Sequence, residues 1–289
     1  MDPDRLMKTF CEDLPRRFRG FPVGFGQADE HGISSMEDTE SAFRPMINIS
    51  TFDDFMNKNL GVADVDQIGL FHWLAFSEHK LLTLKKGRLF RDDLKIAETL
   101  KKLDYYPREV WLYMLMSDWS CICEERAFVK RTAARGDEIG SRIVCARLSH
   151  RIMHLCFLYE RKYAPYSKWF GIAFDELVSA PTVKPLLEKA MDTGSFLERE
   201  KYIARAQATL IDIHNAGALT DPIPSALHPY YTRDILVADA DLVCRALKEA
   251  LSDTPLGGIP PIGAISNVGN LVALSEDPLN LNRIMRLYM

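Results

Sequence analysis

The run EIGSRIVCARLSHRIMHLCFLYERKY, residues 138–163, decides the fold class of this 289-residue chain. Val144, Leu148, Ile152, Leu155 and Tyr159 recur at spacings of 4, 4, 3 and 4, which places them on one face of an α-helix. Met153, Cys156 and Phe157 widen that stripe, so the helix is expected to be buried on more than one side. A further face carries Arg147, His150, Arg151, His154 and Arg161.

The same helical period extends in both directions from this run. Upstream, Ser77-Glu78-His79-Lys80 reads as a capped helix start with Gly87 as its stop, and Asp92 can cap a helix through Leu103. Pro107 suits the first turn of a long helix that carries Trp111, Leu115, Trp119 and Ile122 on one face. Downstream, Pro165 breaks the central helix and Ser167 opens the next. Helices fit 182–192, 198–215 with Gly217 as stop, and 239–252. Asp221-Pro222-Ile223-Pro224 and His228-Pro229-Tyr230-Tyr231 read as loop. A Gly/Pro-rich passage at 257–263 precedes a closing helix around Leu281, Ile284, Met285 and Tyr288.

Residues 1–62 have another texture. A short helical pattern (Leu6, Met7, Phe10, Leu14) leads to Arg16-Arg17-Phe18-Arg19-Gly20-Phe21-Pro22 and a polar, Gly-rich loop from Gly24 to Glu40. Apolar residues then alternate through Pro45-Met46-Ile47-Asn48-Ile49-Ser50-Thr51 as in a strand, and Thr51 starts a helix. One strand is no stable sheet, so either its partners lie within 21–35 or the rest of the sheet is missing.

Composition is that of a globular protein, 47% hydrophobic and 26% charged. A net charge of -4 argues against a surface built throughout for nucleic acid. The opening Met1-Asp2-Pro3-Asp4-Arg5 has no apolar signal core, and no apolar run approaches the ~18 residues of a membrane span. A cytoplasmic protein is expected, with its six cysteines reduced. Cys121-Ile122-Cys123 has neither zinc nor thioredoxin spacing.

The run Arg161-Lys162-Tyr163-Ala164-Pro165-Tyr166-Ser167-Lys168-Trp169, preceded by His154-Leu155-Cys156-Phe157-Leu158, resembles the family called domain of unknown function 4037. Leu14 to Pro22, Tyr105-Tyr106-Pro107 and Ile262-Gly263-Ala264-Ile265-Ser266 agree with it, in the right order along nearly the whole chain. The resemblance implies an aminoglycoside-type nucleotidyltransferase domain followed by a helical domain. It implies transfer of a nucleotide from a magnesium-bound nucleoside triphosphate to a hydroxyl acceptor. In such enzymes a Gly-Ser pair opens a helix, Asp-x-Asp follows on a strand, and a third carboxylate completes the metal site.

That set is not found. Gly140-Ser141 has no acid pair after it, Asp239-Ala240-Asp241 is far from Gly194-Ser195 and suits a helix cap, and the strand that could bear a third acid offers Asn48. No catalytic residue is therefore assigned. A start at an internal methionine, a natural reduction to a binding module and an active site completed by a partner remain open.

Several constellations invite a function. Arg147, His150, Arg151, His154 and Arg161 could contact phosphate, or could simply pair with Asp118, Glu124 and Glu125 on the preceding helix. His150 and His154 are a helix turn apart but have no evident third metal ligand, so no metal site is assigned. Arg147 and His154 fit a loose pattern of helical-bundle ribonucleases, His as acid or base and Arg on the phosphorane. Tyr163, Tyr166, Lys168 and Trp169 could stack a base or sugar, or pack a helix corner. Glu124 and Glu125, being adjacent on a helix, point apart.

The expectation is a mainly α protein: a short α/β remnant of a nucleotidyltransferase-like domain over 1–62, a helical bundle over 63–217 and a helical extension over 218–289. The leading functional reading is the helical, substrate-binding portion of a nucleotidyltransferase-like protein, with magnesium and a nucleoside triphosphate entering only if the catalytic part is supplied. A non-catalytic binding or scaffold module and a ribonuclease using Arg147 and His154 are the alternatives. The expected partners are a small-molecule or nucleotide ligand and, where a partner completes the active site, a protein, with no membrane.

Overall fold

A computed structural model describes residues 2–26, 28–36, 44–45, 47–269 and 271–289. The chain divides into two units, Met1–Asn57 and Lys58–Met289. The protein is mainly α, with short strand pairs.

In the first unit, α1 (Pro3–Asp13) starts at Asp2, whose side chain accepts from the Asp4 N–H at 3.1 Å. β1 (Arg17–Phe18) and β2 (Phe21–Pro22) pair antiparallel around Arg19 and Gly20, which have φ of 51° and 84°. Two consecutive left-handed residues make the tight turn whose twist matches a hairpin. β3 (Gly24–Phe25) pairs with β4 (Arg44–Pro45), and Phe25 also bridges Met36.

The strand expected over 45–51 is thus corrected. Residues 47–50 alternate between half-buried and exposed as that pattern requires, but they carry no ladder, and Met46 lies outside the described residues. Alternation makes a strand only where a partner supplies hydrogen bonds. The expected loop at 24–40 contains β3, and residues 27 and 37–40 lie outside the described set. Thr51 opens α2 (Phe52–Leu60): its hydroxyl accepts from the Asp54 N–H at 3.1 Å and donates to Asp54 Oδ2 at 2.7 Å.

The second unit starts at Lys58, inside α2, and continues with α3 (Leu70–Ala75), α4 (Glu78–Lys86) and α5 (Ile96–Lys101). Asp92 accepts from the backbone N–H groups of Ile96 and Ala97 at 2.6 and 3.0 Å, as its place in the sequence suggests. Next come α6 (Arg108–Glu125), α7 (Phe128–Ala133), α8 (Glu138–Tyr159), α9 (Ser167–Phe174), α10 (Ala180–Asp192) and α11 (Phe196–Ala216). Residues 228–231, expected as loop, instead begin β5 (His228–Pro229), which pairs with β6 (Leu236–Val237). Ile235 and Val237 bury against Ala127 with Tyr230 packed beside them, and this apolar anchor holds the pair. The chain closes with α12 (Ala240–Ala250), α13 (Ile265–Val268), α14 (Val272–Ser275) and α15 (Leu281–Met285).

α6 and α8 pack together at the centre. α12 lies against α6, while α7, α10 and α11 lie against α8. Every residue from Val110 to Trp119 is buried, so α6 is apolar around most of its circumference and holds one buried carboxylate, Asp118. Residues 218–289 pack into this same unit: α15 lies on α3, and the buried Tyr288 donates its hydroxyl to the Leu74 carbonyl at 3.3 Å.

α8 stops at Tyr159, six residues before Pro165, so Pro165 is not the breaker. Arg161 takes a left-handed φ of 53°, its N–H bonds to the Leu158 carbonyl at 3.1 Å, and the Lys162 N–H reaches the Phe157 carbonyl at 2.9 Å. This is a Schellman ending with arginine where glycine is usual. The guanidinium lies 5.3 Å from the Tyr105 ring centre and 5.0 Å from that of Trp111, which offsets the backbone cost. Among the described residues no helix is long and apolar enough to cross a membrane.

Candidate functional site

Three helices bring charge into the middle of the second unit. α8 presents Arg151 and His154, three residues apart and so on one face. α6 supplies Asp118, fully buried, and the first turn of α4 supplies Glu78, 3% exposed. His154 lies between the two acids: Nδ1 bonds to Asp118 Oδ2 and Nε2 to Glu78 Oε2 at 2.7 Å. Arg151 donates to Asp118 Oδ1 at 2.9 Å, and Asn267 Nδ2 donates to the same oxygen at 3.1 Å.

The α13 segment and the chain before α9 complete the network. The Glu78 N–H donates to Ser266 Oγ at 3.2 Å, Glu78 Oε1 accepts from the Ala164 N–H at 3.4 Å, and Arg151 donates to the Asn267 carbonyl at 3.3 Å. Two carboxylates and two cations balance, as a buried ionic group requires. Burial alone would lower the pKa of His154, but Asp118 and Glu78 outweigh it and raise the imidazolium to about 10. Burial would likewise raise Asp118, and His154 and Arg151 reverse that, holding its carboxyl below the usual range. His154 is therefore a cation at neutral pH, and both its N–H groups are in use.

Beside this network lies a cavity of about 80 Å³, with Glu78, His79, His150, Tyr166, Ser167 and Asn267 in its wall. Ser77, Ser266, Ser275 and Glu276 also line it. At a share of about 30 Å³ per water, it takes one functional group of a ligand rather than a whole nucleotide. His150 stacks on Phe170 at 4.7 Å, and Tyr166 meets the His79 ring edge-on at 4.7 Å. His150 keeps a solvent-exposed edge, but desolvation of the rest of its ring and then the charge on His154 lower its pKa to about 4. Two atoms of this wall, His79 Nδ1 and Asn267 Oδ1, are buried and have no hydrogen-bond partner among the described residues.

Residues 73–170 match the family model described as Domain of unknown function (DUF4037). This stretch is what the chain shares with the DUF4037 family. Comparison with the curated proteins and with the solved structures returned no match. The DUF4037 match contains Glu78, His79, Asp118, Arg151, His154 and Tyr166, whereas Ser266, Asn267 and Glu276 reach the cavity from outside it.

The residues singled out in the sequence divide by place. His150, His154 and Tyr166 line the cavity, and Arg151 braces it through Asp118. Arg147 turns away to a two-point pair with Glu125, its Nε 3.1 Å from Oε2. Arg161 sits at the end of α8 on Tyr105 and Trp111, and Tyr163 is buried, its hydroxyl donating to the Leu103 carbonyl at 3.1 Å. Lys168 and Trp169 are exposed and stack on each other at 5.1 Å. Glu78, His79 and Asn267 were missed. An acid set just after the buried stretch Trp73 to Phe76 was the available signal, but it reads equally well as a helix cap.

These residues do not fit a magnesium site. Asp118 Oδ1 is taken by Arg151 and Asn267, and Oδ2 by His154, while Glu78 is neutralised by the same imidazolium. Asp239 pairs with His228 at 2.9 Å and Asp241 with Arg126 at 2.9 Å. Among the described residues no group of three or more His, Cys, Asp or Glu side chains is arranged to hold a metal ion.

Proposed function

We propose that this chain is a binding module that holds a hydroxyl- or amine-bearing small molecule by one edge in the cavity beside His154. That molecule is the acceptor of a nucleotide transfer whose metal-binding carboxylates come from elsewhere. The transfer itself rests on the family resemblance. The ligand chemistry rests on Asn267. Its Nδ2 donates to Asp118, which fixes the amide orientation and leaves buried Oδ1 as an acceptor without a donor. A ligand O–H or N–H satisfies that atom, and an ionised phosphate does not. Glu276 in the wall disfavours phosphate further.

The geometry favours binding over RNA cleavage. A general base needs a free lone pair, and the buried imidazolium of His154 has none. Arg147, the other half of the ribonuclease reading, is on Glu125.

Saturation-transfer NMR with ribose, inorganic phosphate and Mg-ATP as separate probes tests the reading. Ribose contacts are expected with the wild type and lost in His79→Phe, which keeps a ring against Tyr166 but removes Nδ1. Phosphate bound in the cavity with ribose silent would overturn the assignment.

A further inference from the structure

Outside that cavity, α6 and α12 bring two thiols together. Cys123 Sγ and Cys244 Sγ are 3.4 Å apart, both cysteines are free, and both are half-buried rather than sealed in the core. Ser120 Oγ lies 3.7 Å from Cys244 Sγ. Cys244 also forms part of the wall of a second cleft of about 390 Å³, within the range of small-molecule sites. Arg245 and Lys248 flank it there and Gly257 to Pro261 close the opposite side, with no acid in the lining. Arg245 has a loose partner in Asp241 at 4.0 Å, and Lys248 makes no ion pair among the described residues.

We propose that Cys123 and Cys244 form a thiol–disulfide exchange site whose cleft receives a small anionic disulfide, with Cys244 as the attacking thiol and Cys123 as the resolving one. Cys244 lines the cleft, and Cys123, 3.4 Å from it, does not. Arg126 donates to the Cys123 carbonyl at 2.6 Å, and its buried Nε has no partner among the described residues. The hydrogen bond between the sulfurs lowers the pKa of Cys244 and raises that of Cys123, and Arg126 adds positive charge near both.

The exchange balances in two steps. The Cys244 thiolate attacks one sulfur of the disulfide, forming a mixed disulfide and releasing one small thiolate. Cys123 then loses its proton to that thiolate and attacks Cys244 Sγ. The second small thiolate leaves, taking from solvent the proton that Cys244 gave up on ionising, and the Cys123–Cys244 bond remains. The dithiol is oxidised by two electrons and the small disulfide is reduced to two thiols. The product ties α12 to α6, the helix that carries Asp118.

The test treats the full chain with glutathione disulfide, which is anionic, or cystamine, which is cationic, and follows intact mass and peptide maps. The wild type is expected to lose two hydrogens through a Cys123–Cys244 crosslink that dithiothreitol reverses. Cys123→Ser is expected to stop at one glutathionyl group on Cys244, and Cys244→Ser to leave Cys123 unmodified. Replacing Arg245 and Lys248 with Ala is expected to slow glutathione disulfide several-fold and leave cystamine unslowed. A wild type whose first adduct sits on Cys11 or Cys121, or which forms no crosslink, overturns the proposal whatever the variants do. Equal rates with both disulfides would remove the anionic preference.

Discussion

His154 Nε2 stands 2.7 Å from Glu78 Oε2 inside the second unit, joining the first turn of α4 to the C-terminal third of α8 across 76 residues. The bond is made in a buried place where neither group could remain charged alone. Asp118 on the other side of the ring, and Arg151 beyond it, complete a neutral set. Removing any one member leaves a buried charge uncompensated, so these four side chains act as a unit.

Asp118→Ala is accordingly expected to destabilise the protein by about 3–5 kcal/mol, the usual cost of breaking a buried pair by removing one partner. Urea unfolding of the two proteins measures it. A loss under about 1 kcal/mol, the level of an exposed pair, would mean that water reaches the network.

The pH dependence follows with its sign. The pKa of His154 is raised in the folded state, to about 10 against 6.5. Its stabilisation is fully present below the unfolded value and is lost as pH rises through the folded one. Unfolding free energy should therefore decline between about pH 6.5 and 10, by on the order of 4–5 kcal/mol from this group. Asp118, whose pKa is lowered, acts in the opposite direction and adds a loss only as pH falls through its depressed folded-state value. His154→Gln should flatten the alkaline slope in urea titrations at a series of pH values. An unchanged slope would place the titration on another group.

How much of this was legible in the sequence depends on distance along the chain. The α8 stripe, the Asp92 cap, the Pro107 start and the Gly217 stop are local patterns, and local patterns survive folding. The pairing of Arg147, Arg151 and His154 with α6 acids was readable as one of two options, because α6 is the preceding long helix. Glu78 and Asn267 were not readable. Asn267 meets Asp118 across 149 residues, and no periodicity encodes which loop closes over a helix pair. The end of α8 was misjudged because proline is a visible breaker, whereas an arginine held left-handed by two rings has no local signature.

Arg161 offers a test of that ending. In Arg161→Ala the backbone keeps its left-handed strain and loses both ring contacts, so a loss of about 1–2 kcal/mol is expected. Arg161→Gly removes the strain along with the contacts and should regain roughly half of it. Thermal unfolding of the two variants gives the comparison. If Gly were worse than Ala, the ring contacts and the αL cost could not both be as described.

The remaining prediction concerns a second, partly buried hydrogen-bond chain that runs from α6 through α8 to α11. Trp119 Nε1 donates to the Tyr159 hydroxyl at 2.7 Å, and that hydroxyl stands 3.1 Å from His214 Nδ1. His214 Nε2 lies 2.7 Å from Thr220 Oγ1, which donates to the Asp221 carbonyl at 3.0 Å. The directions follow from that last carbonyl. Thr220 must donate to it, so His214 donates from Nε2 to Thr220 and accepts at Nδ1, and Tyr159 supplies that proton while accepting from Trp119. Burial lowers the pKa of His214, in keeping with a neutral ring. Tyr159→Phe would strand the indole N–H and the imidazole Nδ1 together, at about 1–3 kcal/mol for each unsatisfied group. Urea unfolding should show a loss larger than one hydrogen bond is worth, and His214→Phe added to Tyr159→Phe should cost less than the sum of the singles. Strict additivity would mean that the two rings do not share a proton path.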